Sequence, residues 1–130
     1  MIYFESPYTT ILWNEEVGCV VAEWKAFAQG EQFRQGLDKG LVLLKEKRSH
    51  KWLGDLRKEG PISPEDQQWS NENWFPRALA AGLKFIAFVS PETVVAKWSI
   101  DRIMQKVETP HLKVSYFATL AEAKAWLKMQ

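Results

Sequence analysis

One cysteine and two histidines in 130 residues leave little material for thiol chemistry or a metal centre. Cys19 has no second cysteine to pair with, which excludes an internal disulfide and points to a reducing compartment. It lies inside an apolar strand pattern, where a thiol serves as a small core residue. His50 and His111 each stand beside an expected strand start, with no ligand set or nucleophile in view, so neither a metal nor a cofactor is expected. The chain also lacks a glycine-rich phosphate loop and a G-x-S-x-G elbow. An enzyme is therefore not the expectation. Neither sign of charge is in excess. The 17 Lys and Arg against 16 Asp and Glu give a formal net charge of +1. Such a field does not recruit nucleic acid or an anionic membrane. No apolar run approaches a membrane span, and the start, Met-Ile-Tyr-Phe-Glu-Ser-Pro-Tyr, has no basic region ahead of a long apolar stretch. A cytoplasmic protein is the expectation.

What the chain does have is ordinary globular stuff: 46% hydrophobic and 25% charged residues, enough for one domain, 1–130, around one core. Ile2–Glu5 and Thr9–Trp13 read as extended, interrupted at Pro7, and Val17–Trp24 resumes as a β-branched strand after a polar turn at Asn14-Glu-Glu16. The short link predicts an antiparallel hairpin. Gly30 opens a first helix with Phe33, Leu37, Leu41 and Leu44 at helical spacing. Gly36 and Gly40 within it each cost about 1 kcal/mol against Ala, a cost that close packing on a sheet justifies. The basic cluster Lys45–Lys51 closes that helix and suits its dipole.

Trp52–Leu56 is a short strand, Lys84–Val89 a nearly continuous apolar one suited to a centre covered on both faces. His111–Phe117 is the last. Ser63-Pro64-Glu65-Asp66 is a helix start, with the run expected to reach Gly82 and to be kinked or divided at Pro76. Ser90-Pro91-Glu92 repeats the start signal ahead of a helix carrying Val94, Val95, Trp98, Ile103, Met104 and Val107, with a restart at Ser99-Ile-Asp101. Thr119-Leu-Ala-Glu122 is a capping box for the last helix. Strands alternating with helices predict an α/β fold with a mixed, mostly parallel sheet, an N-terminal antiparallel hairpin and about four helices.

Residues 52–77 concentrate the functional candidates. A loop that follows a strand and enters a helix is where α/β domains place their working parts. Asp55 ends the strand and is the best lone acid or base, although a structural partner such as Arg57 is the simpler role. Trp24, Trp52, Trp98 and Trp126 fall in or beside apolar patterns and read as packed. Trp69 and Trp74 sit instead among Gln, Ser, Asn and Glu. Together with Arg57 and Arg77 they have the chemistry of an interface or ligand groove, set against plain core packing.

The element order, the early hairpin and Asp55 ahead of a capped helix resemble bacterial anti-sigma-factor antagonists, STAS domains and SpoIIAA-like proteins. Leu53-Gly-Asp-Leu-Arg57, Ser63-Pro-Glu-Asp66, Trp69, Trp74-Phe-Pro-Arg77 and Ala123-Lys-Ala-Trp-Leu127 also resemble bacterial STAS/SEC14-like proteins. The resemblance implies a SpoIIAA/STAS-like fold. In the antagonists an Asp-x-Ser-type motif carries a switch serine. Here Asp55 matches the aspartate and Arg57 stands in place of the serine. Ser63, several residues on, is the remaining phosphorylation candidate, but Glu65 and Asp66 would repel a phosphate there and capping is its simpler role.

Two functional readings follow. The first is a non-enzymatic regulatory module that self-associates or docks a protein partner through residues 57–77, with Trp69 or Trp74 as anchor and Arg57 or Arg77 at the rim. The alternative, which the SEC14-like resemblance implies, is a carrier or sensor of a small apolar or lipid-like molecule.

Overall fold

The computed structural model describes residues 1–107 and 110–130. Six strands form one sheet in sequential order: β1 (Ile2–Glu5), β2 (Thr9–Asn14), β3 (Cys19–Trp24), β4 (Lys51–Asp55), β5 (Phe85–Val89) and β6 (Lys113–Phe117). The first two pairings are antiparallel and the last three parallel. The break at Pro7 is a chain reversal: Ser6 N–H donates to Thr9 O, and β1 pairs back on β2. The N-terminal antiparallel element thus has three strands, one more than the single hairpin expected from the sequence.

Alternation along the strands sorts side chains onto two cores. Val20, Ala22, Trp24, Trp52, Ile86 and Phe88 point to the face covered by α1 (Glu31–Lys47), α2 (Pro64–Trp69), α3 (Phe75–Ala80) and α4 (Val94–Gln105). Cys19, Val21, Leu53, Ala87 and Val89 point to the other face, closed by Ala123 and Leu127 of α5 (Leu120–Lys128). Double cover explains why β5 reads as an unbroken apolar run.

The glycines of α1 serve the packing expected of them. A Cβ on Gly40 would overlap the Trp52 ring, and one on Gly36 would come within 2.8 Å of Thr9 and Trp24 side-chain atoms. The helix therefore rests directly on two tryptophan rings of the sheet. Its end is a left-handed Arg48, whose N–H donates to Leu44 and Lys45 carbonyls.

The Pro76 segment is divided, but by a wide turn instead of a kink. α2 and α3 are joined through a π-helical turn, Ser70–Trp74, in which Phe75 N–H reaches Ser70 O. One extra residue per turn lets the helix continue past a proline that has no N–H to give. Gly82 follows α3 at φ +106°, a conformation that favours glycine, and ends the run as expected.

Three expectations for α4 are corrected. Thr93, not Ser90, is its cap, accepting from Ala96 N–H at 3.3 Å. Ser99 does not restart the helix, which runs unbroken from Val94 to Gln105. Trp98 is not packed but 59% exposed, on the outer side with Val94 and Val95. The inner side is formed by Ala96, Ile100 and Ile103.

Candidate functional site

The sequence-level candidates fall in three separate places. Asp55 and Arg57 form one pair at the C-terminal end of β4. Arg57 Nε and Nη2 donate to Asp55 Oδ1 and Oδ2 at 2.9 and 2.7 Å, a bidentate fork, and Arg57 N–H also donates to Oδ1. The carboxylate raises the guanidinium's affinity for its proton through that hydrogen bond. Asp55 is buried and Arg57 exposed, so the fork ties down the strand end beneath a polar groove shared with Glu23, Lys25 and Glu92. The structure thus gives Asp55 its structural partner.

Trp69 and Arg77 meet on the outer surface. Trp69 is half-buried between the guanidinium groups of Arg34 and Arg77, 5.4 and 5.8 Å from the ring centre. Both arginines are paired within the chain, Arg34 to Asp66 at 3.2 Å and Arg77 to Asp38 at 2.7 Å. Ser63 is a cap: its Oγ accepts from Asp66 N–H at 3.2 Å.

Trp74 lies in neither place. It is 2% exposed, and its indole Nε1 donates to Leu37 O at 2.9 Å. A side chain this deep does not enter a partner's pocket. It lines an interior cavity. The π turn is what turns Trp74 inward: taking more residues per turn, it changes the angle between positions 69 and 74 from that of a plain α-helix.

That cavity, of about 50 Å³, lies between the sheet and the helices α1, α3 and α4. Trp24, Phe33, Trp52, Trp74, Phe75 and Phe88 supply aromatic wall, while Leu56, Ile62, Ile86, Ile100 and Ile103 supply aliphatic wall. Trp52 and Phe75 both stand edge-on to Trp74, with ring centres 5.0 Å apart in each case. By volume it holds about three or four water-sized groups.

One acid lines this apolar space. Glu59 is 6% exposed, and its Oε2 has no hydrogen-bond partner. Burial alone pushes its carboxyl up to about 8, so it is largely protonated at neutral pH. The loop holding it is anchored at both ends. Leu56 N–H donates to Val89 O, Glu59 N–H to Leu56 O, and Ile62 N–H to Ser99 Oγ on α4. Gly60 lies against the Phe27 ring, where a Cβ would come within 2.8 Å. The second polar wall group apart from the indoles is Ser70, whose hydroxyl donates to Asp66 O at 2.8 Å and keeps its lone pairs for accepting.

Glu59 was missed in the sequence because Arg57–Ile62 reads as a solvated polar link. Its flanking Leu56 and Ile62 are the faint signal, since both are buried with it. Among the described residues no cluster of three or more His, Cys, Asp or Glu is placed to hold a metal ion, and no helix is long and apolar enough to cross a membrane. His50 is exposed, with Nδ1 donating to Gly82 O at 2.6 Å.

Comparison with solved structures finds a protein from Shewanella loihica, described as uncharacterised and with a SpoIIAA-like fold. The two superpose at a TM-score of 0.58 with 15% identity, over 92% of this chain and 91% of that one. No curated protein matches. The family model described as SpoIIAA-like matches residues 19–128, from β3 through α5 and with every wall of the cavity inside it. By that match the chain belongs to the SpoIIAA-like family.

Proposed function

We propose that this chain is a non-enzymatic binding module that holds a small, mainly apolar molecule in the cavity beneath α1, α3 and α4. The supporting observation is an apolar space with one unpartnered buried carboxyl in its wall. A pocket of apolar walls with a very few placed polar groups is the usual form of a small-molecule site. A buried polar group that finds no partner in the protein calls for one from outside it, a ligand or an ordered water. The cavity's size sets the ligand at a few heavy atoms, or at the head of a larger molecule.

A panel of small apolar and amphiphilic compounds, read by thermal unfolding, tests this reading. A true ligand at 100 times its Kd stabilises the fold by about 2.7 kcal/mol, and filling the space with Ile103→Trp abolishes that gain. Finding no stabilising compound, and no non-covalent adduct by native mass spectrometry, overturns it.

A second reading is a protein-interaction module, self-associating or docking a regulatory partner through residues 57–77. It is supported by the half-exposed Trp69 with Arg77 beside it, and by the Asp55–Arg57 pair at the strand ends. Sedimentation of the wild type and of Trp69→Ala distinguishes it. A true aromatic anchor costs about 2 kcal/mol or more of association when truncated; unchanged association removes Trp69 from the interface.

A further inference from the structure

We infer that the cavity takes a small organic cation, an alkylammonium group, with the Glu59 carboxylate as its counter-ion inside an aromatic wall. The inference rests on the reading of the cavity as a ligand site and names the chemistry that site selects.

The argument starts from what the wall offers. Trp24, Phe33, Trp52, Trp74, Phe75 and Phe88 surround the space. Aromatic faces carry negative potential and attract ammonium groups, most strongly where water is excluded. No lysine, arginine or histidine is among the wall residues. An anionic ligand finds no counter-charge there and meets a carboxyl among aromatic rings. The Trp74 N–H is already spent on Leu37 O. Ser70 has given its hydroxyl proton to Asp66 O and faces a ligand as an acceptor. Glu59 Oε2 is a second open acceptor. Acceptors, aromatic rings and an ionisable acid together suit a donor that carries positive charge.

The proton balance follows. In the empty cavity Glu59 holds its proton, because burial disfavours the charged form. On binding, the ammonium keeps its own protons and the Glu59 proton leaves to solvent. A charge-assisted N–H···O pair replaces an unpaired acid, and no net charge is buried. Glu59 is the one titratable side chain among the wall residues, and burial is the one cause of its shift. Amine affinity therefore rises as pH goes from 6 to 8, since less work is then needed to remove that proton.

The test uses the full chain and three probes of matched chain length: ethylammonium, ethanol and acetate. Calorimetry is run in two buffers of different ionisation enthalpy. Ethylammonium is expected to bind tightest, to release about one proton per molecule bound at pH 7, and to lose about tenfold or more in affinity in Glu59→Gln. Ethanol binding is expected to survive that substitution. If ethanol binds as well as ethylammonium, or if Glu59→Gln leaves the amine's affinity and proton release unchanged, the cation inference is wrong while the cavity reading stands. If no probe binds the wild type, the inference falls together with that reading.

Discussion

Two buried acids of this chain are treated in opposite ways. Asp66, 1% exposed, accepts from Gly30 N–H at 2.8 Å and pairs with Arg34 at 3.2 Å, so it latches the start of α1 to α2. Glu59 lies in a mainly apolar wall with an open Oε2. A buried polar group without a partner lowers stability by roughly 1–3 kcal/mol. Glu59→Met is expected to return about that much, measured as a higher urea midpoint at pH 7, while weakening any ligand that uses the acid. The pH dependence has a definite sign. The carboxyl is held at about 8 in the folded chain and titrates near its ordinary value of 4.5 when unfolded. Between those values the unfolded chain binds fewer protons, so stability is full below 4.5 and declines as pH rises towards 8. The slope reaches at most about 1.4 kcal/mol per pH unit. Urea midpoints at pH 5, 6.5 and 8 should fall in that order for the wild type. The same series for Glu59→Gln should be flatter; equal slopes would mean that Glu59 is hydrated in the folded chain.

At the scale of elements, α1 shows a local preference overridden by packing. Alanine is the better helix former by about 1 kcal/mol at each glycine. At position 40 a methyl group would collide with Trp52, whose ring is buried against the helix. Overpacking of this kind costs about 1–3 kcal/mol. Gly40→Ala should therefore lower stability by up to about 2 kcal/mol net of its propensity gain. Val42→Ala, at a half-exposed position on the same helix, should change it by less than about 0.5 kcal/mol. A stabilised Gly40→Ala variant would show that α1 can lift off the sheet at little cost. Because Trp52 is also a cavity wall, the Gly40 variant should disturb ligand binding as well. The π turn between α2 and α3 acts on the same space, since it directs Trp74 inward and leaves Trp69 at the surface between two arginines.

Over the whole molecule, the sheet divides two interiors of different character. The α5 side is aliphatic at its centre, with Cys19, Val21, Leu53, Ala87, Val89, Ala123 and Leu127 closed together. The opposite side holds the tryptophans and the cavity. Burial pushes the Cys19 thiol up to about 12, so it remains protonated and shielded at neutral pH. Its alkylation by iodoacetamide at pH 8 should follow global unfolding and speed up in step with urea. Rapid labelling without denaturant would instead show that α5 opens locally from the sheet. A ligand in the cavity should slow the labelling even though it binds on the other face, because it stabilises the folded chain as a whole.

How much of this was legible in the sequence depended on the range of the interactions involved. Local signals sufficed for β3 to β5, α1, the Ser63 and Thr119 caps and the Gly82 stop, because periodicity and capping act over a few residues. The α/β class followed from the order of those elements. Family likeness was readable too, in the Leu53–Arg57 and Ser63–Asp66 segments. The Pro7 reversal was hidden because a proline interrupts a strand and a hairpin alike. Trp98 was misread because the apolar residues of α4 occupy both its sides, and only the neighbouring elements select which side is buried. Glu59 was invisible for the same kind of reason. A glutamate beside a lysine and a glycine is a surface residue by every short-range rule. Its burial comes from the anchoring of its flanking residues, Leu56 on Val89 and Ile62 on Ser99, partners that lie far along the chain.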